Sequence, residues 1–491
     1  MKTKYFGWLL SAVMVLTAVG CNYNDKDDDI ISRKVIENID NNNGTTDTKD
    51  YTIWEFVHAM SSVYYLWNEN VPSIGKIDYA KYESPEALFE SFRHEDDRFS
   101  AVFSNYSTVV GELSNSYETD GINYHLYLDN GDNVIALVQY VYDDSPAKAA
   151  GIERGFVIHK VNGTQLTVDN YSELLDQPTC AYTYSVVKAT DNPTGAPSLS
   201  YGDDLKTTEK ITKIQMDIDP ILLTKVFTKG DRRIGYLLYD GFTDDPTTLL
   251  QAMEKFEAQQ VNELVLDLRF NGGGYVTTLD TLASILVPDG NGGKTFITET
   301  YNSELQAEFR RSGSDGHIHR FAKNMSPKLE LNNLYVLTSG GTASASEELI
   351  SGLSPYMPVT LIGETTYGKF TANSLFGYET VMKELDDSYV GGGTDDDGIP
   401  YSEWALYLSI SSCKNCRNEM NFKNGFTPDY EIKDTYQYEL GDENEPLLAK
   451  ALELCTGTLA KSTTVYPEPL QGYVGFHGPR AKRYGLITNM K

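Results

Sequence analysis

The segment Glu263-Leu-Val-Leu-Asp-Leu-Arg-Phe-Asn-Gly-Gly-Gly274 decides the architecture of this chain. Its first half is a short, nearly continuous apolar run, the pattern of a strand buried on both faces. Its second half is a glycine triplet that reads as a loop. Ile234-Gly-Tyr-Leu-Leu-Tyr239 reads as a strand before it, and Pro246 to Gln259 as an amphipathic helix. Leu334-Tyr-Val-Leu-Thr338 and Pro358-Val-Thr-Leu-Ile362 read as strands after it, with a helix from about Ser344 to Leu353 between them. Strands alternating with helices over residues 223–440 predict an α/β domain built on a largely parallel sheet, with function carried by the loops at the strand ends.

Working outward, residues 106–222 are β-rich: Gly121-Ile-Asn-Tyr-His-Leu-Tyr-Leu128 alternates and Asn133-Val-Ile-Ala-Leu-Val138 is a second strand. Asp144-Ser-Pro-Ala-Lys-Ala-Ala-Gly-Ile-Glu-Arg-Gly-Phe-Val-Ile-His-Lys-Val-Asn-Gly163 parses as a short helix from Pro146 to Ala150, a turn at Gly151 and Gly155, a strand from Phe156 to Val161, and a tight turn at Asn162-Gly163. This segment resembles the PDZ domains of bacterial proteases, with Phe156 where an aspartate is usual. The resemblance implies strand addition of an extended peptide, with a carboxylate-binding loop near Gly121 and Ile122. Residues 51–105 are helical: Trp54, Val57, Met60, Val63 and Tyr64 recur at helical spacing. A second helix runs from Pro85 to about His94, with Ser84 as its N-cap. Residues 441–491 carry no assignable role.

The chain has 491 residues, about three domains' worth, and a formal net charge of −29. That balance argues against nucleic acid, which needs a basic face. Lys2 and Lys4 precede an apolar run from Tyr5 to Val19, then Gly20 and Cys21. This reads as an export signal, too short for a comfortable membrane span. A small residue before a cysteine at that point resembles a bacterial lipoprotein signal, with Ala18 at the position where leucine is usual. The resemblance makes Cys21 the lipidated first residue, several acyl chains giving a stable anchor; ordinary cleavage and soluble secretion is the alternative. Residues 22–50, rich in Asp and Asn, read as a disordered acidic tether, and acidic residues just after the cysteine resemble a surface-export signal of Gram-negative lipoproteins. Of the other cysteines, Cys413 and Cys416 have metal or redox spacing, but no second pair or nearby histidine completes a zinc site. A local disulfide or two free thiols is expected.

Chemistry concentrates in three segments: Asp267-Leu-Arg-Phe-Asn-Gly-Gly-Gly274, Thr342-Ala-Ser-Ala-Ser-Glu347 and Gly363-Glu-Thr-Thr-Tyr-Gly-Lys369. Ser344 opens a helix, where unpaired N–H groups favour developing negative charge. Ser344 and Glu347 equally fit a capping box with no catalytic meaning. Lys369 follows one helix and one strand later, so both side chains can face one site. Flanked by Tyr367, Gly368 and Phe370, it has an apolar setting, and an amine kept out of water is held toward the neutral form that a general base needs. Ser344 with Lys369 then forms a nucleophile and base. Gly273 or Gly274, with the N–H of Ala345, would supply an oxyanion hole.

The order of these segments resembles the carboxyl-terminal processing, or tail-specific, serine proteases, over about residues 51–440. The resemblance implies a ClpP/crotonase-like α/β catalytic domain, preceded by the PDZ-like domain and a small N-terminal helical domain, and no cofactor. It puts the nucleophile on Ser344, in a run that begins with Thr342 rather than serine, and the base on Lys369. A supporting glutamine of some members falls on Asn373, and a structural acidic position on Glu347. Asn424-Gly-Phe-Thr-Pro-Asp429 resembles the segment closing the catalytic domain. The expected reaction is peptide hydrolysis through an acyl-enzyme on peptide or protein substrates, in an exported, membrane-anchored protein. A surface lipoprotein that binds peptides without cleaving them, and an esterase on the same nucleophile, are the rival readings. His317 and His319 lack a third ligand, and Asp395-Asp-Asp-Gly398 lacks the full pattern of a calcium loop, so no metal is expected.

Overall fold

Apolar stripes at helical spacing form α1 (Thr52–Tyr64) and α2 (Pro85–Phe92) in the computed structural model of the chain. This structure describes residues 49–457 and 472–477, apart from 74, 114–115, 130, 191–197 and 387. The signal segment, Cys21 and nearly all of the expected tether lie outside the described residues. Ser84 caps α2, its Oγ accepting the Ala87 N–H at 3.2 Å, with Pro85 in the first position. The two helices share one core with later residues: Phe56, Val57, Met60 and Phe89 pack with Leu305, Phe376, Trp404, Leu406 and Leu408. The N-terminal helices therefore depend on the body of the protein for burial.

The β-rich region contains β1 (Ile122–Asp129), β2 (Asn133–Val141), the short helix α3 (Pro146–Ala149), β3 (Phe156–Val161), α4 (Tyr171–Leu175) and β4 (Tyr182–Thr190). The strands lie in the order β4-β3-β2-β1, all antiparallel. Asn162 and Gly163 both have positive φ, 51° and 81°, the geometry of a tight hairpin turn after β3. Ile122, Tyr124, Leu126, Val138, Ile158 and Val161 form the core beneath the sheet.

The main sheet is built from β5 (Ile221–Lys229), β6 (Arg232–Tyr239), β7 (Glu263–Asp267), β9 (Leu334–Thr338), β10 (Val359–Gly363) and β13 (Tyr430–Glu431), in that spatial order. β5 is antiparallel to β6 and every later pairing is parallel. β7 and β9 are buried along their whole length, as the apolar runs predict. The helices α5 (Thr247–Ala258), α6 (Val276–Leu286) and α7 (Ala345–Leu353) cover one face through Met253, Phe256, Leu279, Leu282, Leu349 and Leu353. A second, antiparallel sheet contains β8 (Thr295–Tyr301), β11 (Thr371–Gly377) and β12 (Ala405–Asn415), together with the short strands Ala101–Phe103 and Ile318–Arg320.

The far face of the main sheet is covered by α8 (Pro446–Thr456), whose Leu447, Leu448, Ala451 and Leu452 pack on Ile234, Tyr236, Val265 and Leu337. This places part of residues 441–491, unassigned from sequence, inside the hydrophobic core. Each such leucine contributes about 1.5–3 kcal/mol by burial. A last strand, β14 (Tyr473–His477), pairs antiparallel with β1.

A buried ionic cluster sits where α6 and α7 meet the second sheet. His319 is bonded through Nδ1 to Asp280 at 2.9 Å and lies 3.5 Å from Glu299 through Nε2. Glu348 and Cys413 are buried in the same core. Burial alone would lower the His319 pKa, but Asp280 and Glu299 override it and hold the imidazole well above 6.5. A raised folded-state pKa gives stability that is complete below about 6.5 and lost as pH rises through the folded value. Burial also pushes Glu348 up to about 7, so its contribution falls between 4.5 and 7 in the same direction. Raising the pH from about 6 to about 9 is therefore expected to lower the urea midpoint, and a His319→Gln chain is expected to show a shallower decline. Equal slopes would remove His319 from the account.

Candidate active site

β9 ends at Thr338, and the chain reaches α7 through a loop whose hydrogen bonds fix its path. The Thr342 Oγ1 donates to Leu268 O at 2.9 Å, the Ala343 N–H to Asn271 O at 3.1 Å, and Ser346 Oγ to Asn271 O at 3.0 Å. All three bonds tie the serine loop to the glycine segment. Between them Ser344 adopts φ 56° and ψ −120°, a conformation that costs a non-glycine residue on the order of 1–3 kcal/mol. Within residues 342–350 Ser344 alone is partly exposed; its neighbours on both sides are buried. The strained turn thus presents one hydroxyl at the head of a helix.

The glycine segment lies directly against that turn. A Cβ on Gly273 would come within 2.8 Å of Ser344 Cβ and 2.9 Å of the Ala345 nitrogen. A Cβ on Gly274, whose φ is 140°, would strike Phe242 O at 1.9 Å. Only glycine fits either position. The two differ in what their N–H groups do. The Gly273 N–H donates to Asn271 Oδ1 at 2.8 Å. The bridge between Phe242 and Gly274 uses the N–H groups of Phe242 and Tyr275, which leaves that of Gly274 pointing to the opposite side. Of the two glycines expected as donors, Gly274 keeps its N–H out of the Phe242 bridge, whereas that of Gly273 is drawn to Asn271. The Ala345 N–H lies in the first turn of α7 and has no acceptor within the helix.

Lys369 is buried, its side chain lying 5.6 Å from the Phe99 ring centre and 5.4 Å from that of Tyr407, with Nζ 3.2 Å from Tyr407 Oη. Arg98 donates to Gly368 O at 3.0 Å. Residues 98–99 of the N-terminal region thus roof the lysine loop. Asn424-Gly-Phe-Thr-Pro-Asp429 supports the same loop from below: the Phe426 N–H donates to Thr366 Oγ1 at 2.7 Å, and the Thr366 N–H to Phe426 O at 3.1 Å. Asn373 bonds Ser409 Oγ through Nδ2 at 3.1 Å and accepts from Thr371 at 3.3 Å. Asn373 is thus bonded to these two hydroxyls, and Tyr407 holds the lysine nitrogen instead.

Glu347 joins the serine to the lysine. Its Oε2 accepts the N–H of Ser344 at 3.0 Å and the N–H of Lys369 at 2.8 Å; its Oε1 accepts from Gly368 N at 2.7 Å and Thr366 Oγ1 at 2.6 Å. Burial pushes its carboxyl up to about 7, against the four donors, which pull it down. A glutamine here would turn its NH2 toward at least one of these N–H groups, at about 1–3 kcal/mol per orphaned donor. Glu347→Gln is expected to lower turnover about 10- to 1,000-fold, with thermal stability changed less than activity; steady-state kinetics beside a melting curve checks it. Parent-like kinetics would show that the clasp is dispensable.

Behind the glycine loop, Arg269 is buried among carboxylates. It bonds Asp267 at 2.9 Å, Asp434 at 3.0 Å and Glu445 at 2.9 and 3.0 Å. Arg154, from the turn before β3, donates to both oxygens of Asp434, at 2.5 and 2.6 Å. Burial would raise the Asp434 carboxyl, but the two guanidinium groups hold it far below the usual carboxylate range. This network links the β-rich region to the loop that carries Gly273 and Gly274.

The corner expected to hold a carboxylate is already satisfied. The Gly121 N–H donates to Thr119 Oγ1 at 2.9 Å and the Ile122 N–H to Asp120 Oδ1 at 3.2 Å. Cys413 and Cys416 are separate thiols, one buried and one exposed. Asp395 organises its loop through bonds from the N–H groups of Asp397 and Ile399 and from Trp404 Nε1. Sequence reading missed Tyr407, Phe99 and Arg98. They lie on distant segments and carry no local signal.

Comparison with known proteins matches residues 233–432 to the family described as Peptidase family S41, and residues 53–101 to the Peptidase S41 N-terminal domain. A carboxy-terminal-processing protease of Bartonella bacilliformis is 27% identical over 267 residues, covering 52% of this chain and 54% of the relative. A carboxyl-terminal-processing protease of Picosynechococcus is 24% identical over 295 residues, covering 60% of this chain and 65% of the relative. The chain thus spans about half to two thirds of the length of these curated relatives. A solved structure from Bacteroides fragilis, described as an S41 protease, aligns with a TM-score of 0.64 at 26% identity, covering 82% of this chain and 98% of that one.

Proposed function

From the premise that this chain belongs to peptidase family S41, we propose that it is an endopeptidase that cleaves peptide bonds with a Ser344–Lys369 dyad. Ser344 Oγ attacks the peptide carbonyl as Lys369 Nζ takes its proton. The N–H groups of Gly274 and Ala345 receive the oxyanion, each donor contributing about 2.7–4 kcal/mol to lowering the barrier. Lys369 returns the proton to the leaving amine, which leaves an acyl group on Ser344. Water, deprotonated by the same amine, then attacks the acyl carbonyl, and the proton passes to Ser344 Oγ as its bond to the acyl carbon breaks and the acid leaves. Asn271 and Glu347 hold the two loops in place without touching substrate. The observation that carries this reading is the single Glu347 oxygen that accepts the backbone N–H of both Ser344 and Lys369.

The β-rich region acts as a PDZ-like module that engages extended substrate by strand addition. With the N–H groups of Gly121 and Ile122 taken up by neighbouring side chains, it favours backbone over a terminal carboxylate. The chain is exported and held by lipid on Cys21 at a bacterial outer membrane. Replacing Cys21 by alanine is expected to shift it from the membrane to the soluble fraction, and unchanged fractionation would sink that part. For the chemistry, the chain from residue 22 is incubated with an unfolded protein beside a Ser344→Ala blank, and products are followed by mass spectrometry. Cleavage by the parent alone supports the dyad. Binding of intact peptide with no cleavage by either favours a non-catalytic receptor.

A further inference from the structure

The outer edge of β1 in the β-rich sheet is filled by the chain itself. β1 pairs with β2 on one side; on the other it pairs with β14, in the register Tyr473 to Tyr127, Gly475 to Leu126, Phe476 to His125 and His477 to Tyr124. β14 runs antiparallel to β1, so its direction leads toward the Gly121–Ile122 corner. Entry is through Gly472, whose φ of 82° and close approach to Leu128 O exclude a side chain, and whose carbonyl accepts the Leu128 N–H at 2.7 Å. Tyr473 adds two edge-on ring contacts, at 5.0 Å to His125 and 5.6 Å to Tyr127, yet stays 53% exposed.

We propose that this edge of β1 is a docking site for an internal stretch of extended polypeptide, and that residues 473–477 are its resident occupant, exchanged for substrate. The proposal rests on the peptidase reading above and deepens it. Three observations favour exchange over permanent closure. The strand is five residues long, and Tyr473 anchors it with half of its surface in water. The contact is made through backbone pairing, which any extended sequence reproduces. The chain also continues past His477, so the occupant is itself an internal segment, and the satisfied corner at Gly121 asks for nothing more.

The test uses chains that carry Ser344→Ala, so that nothing is cut, and a fluorescein-labelled peptide copying residues 470–480. Three chains are compared by polarisation: full length, truncated after Gly457, and full length with Gly475→Pro and Phe476→Pro. Successive N–H groups face opposite sides of a strand, so the two prolines remove one ladder donor whatever the register. Both altered chains are expected to bind the probe at least about tenfold more tightly than the full-length chain, because a tethered competitor has been lost. Equal binding by all three, or no binding by altered chains that melt like the parent, would overturn the proposal. So would misfolding of both, which would make β14 a structural strand. Substrate cleavage is scored separately in the Ser344 forms: exchange without cleavage sinks the peptidase reading, and cleavage without exchange sinks the docking site.

Discussion

Chains carrying Ser344→Ala or Lys369→Ala are expected to lose peptide hydrolysis by a factor on the order of 10⁴ to 10⁶ in kcat, with KM little changed. The serine is the atom donor of the proposed acyl intermediate, and the lysine is the group proposed to move its proton. Neither is needed to hold extended substrate in the ground state, so the loss falls on the chemical step. The double variant is expected to be no worse than either single one, because the pair acts as a unit. Lys369→Arg keeps a charge between the Phe99 and Tyr407 rings but not a proton acceptor, and is expected to be as inactive as Lys369→Ala. A pre-steady-state burst in the parent, absent in all variants, would accompany the result. A Lys369→Ala chain that retained more than a tenth of parental turnover would assign the base elsewhere.

Arg269→Ala is expected to lower the unfolding free energy by about 3–5 kcal/mol, a large share of the total for a protein of ordinary stability. The substitution leaves Asp267, Asp434 and Glu445 with their shared cation gone, all inside the protein. Two consequences separate this from loss of a surface pair. Glu445 caps α8 by accepting the Leu448 N–H at 2.9 Å, so the helix over the far face of the main sheet loosens with it. Arg269 also lies two residues before Asn271, so the glycine loop loses its backing and turnover falls along with stability. Denaturant unfolding measures the first effect, and kinetics well below the melting temperature the second. An Arg269→Met chain within 1 kcal/mol of the parent would show that the carboxylates find other partners.

The main sheet was readable because its strands are short apolar runs, rich in β-branched and aromatic residues and closed by glycine or by a polar loop, which favours strand over helix. That the Ser344 and Lys369 loops would meet was readable because each follows such a strand, where the sheet order brings loops together. The different surroundings of the Gly273 and Gly274 N–H groups were not, since the two are identical in sequence and differ only in which way the backbone N–H turns beside the Phe242 bridge. Tyr407 was hidden for another reason. It lies on an alternating strand of the second sheet, where an aromatic residue usually signals packing, and nothing near it in sequence marks it as the neighbour of a lysine. Asn373 illustrates the opposite case: an amide four places after the lysine looks like a partner, but β11 carries it to Ser409. The part played by α8 was missed because residues 441–491 begin with a polar stretch that resembles a tail. Its apolar face becomes meaningful only once the uncovered side of the main sheet is known.

Glu347 has a mechanical consequence. Two reactive groups on separate loops usually inherit every tolerance accumulated along the path between them, here a helix and a strand. A single oxygen atom that touches both loops short-circuits that path, much as an indexing pin sets two parts against one datum. Thermal breathing of the sheet then carries Ser344 and Lys369 together rather than apart. The spacing that the proposed reaction needs is set locally, so the surrounding scaffold is free to drift in shape as long as one carboxylate keeps its four donors.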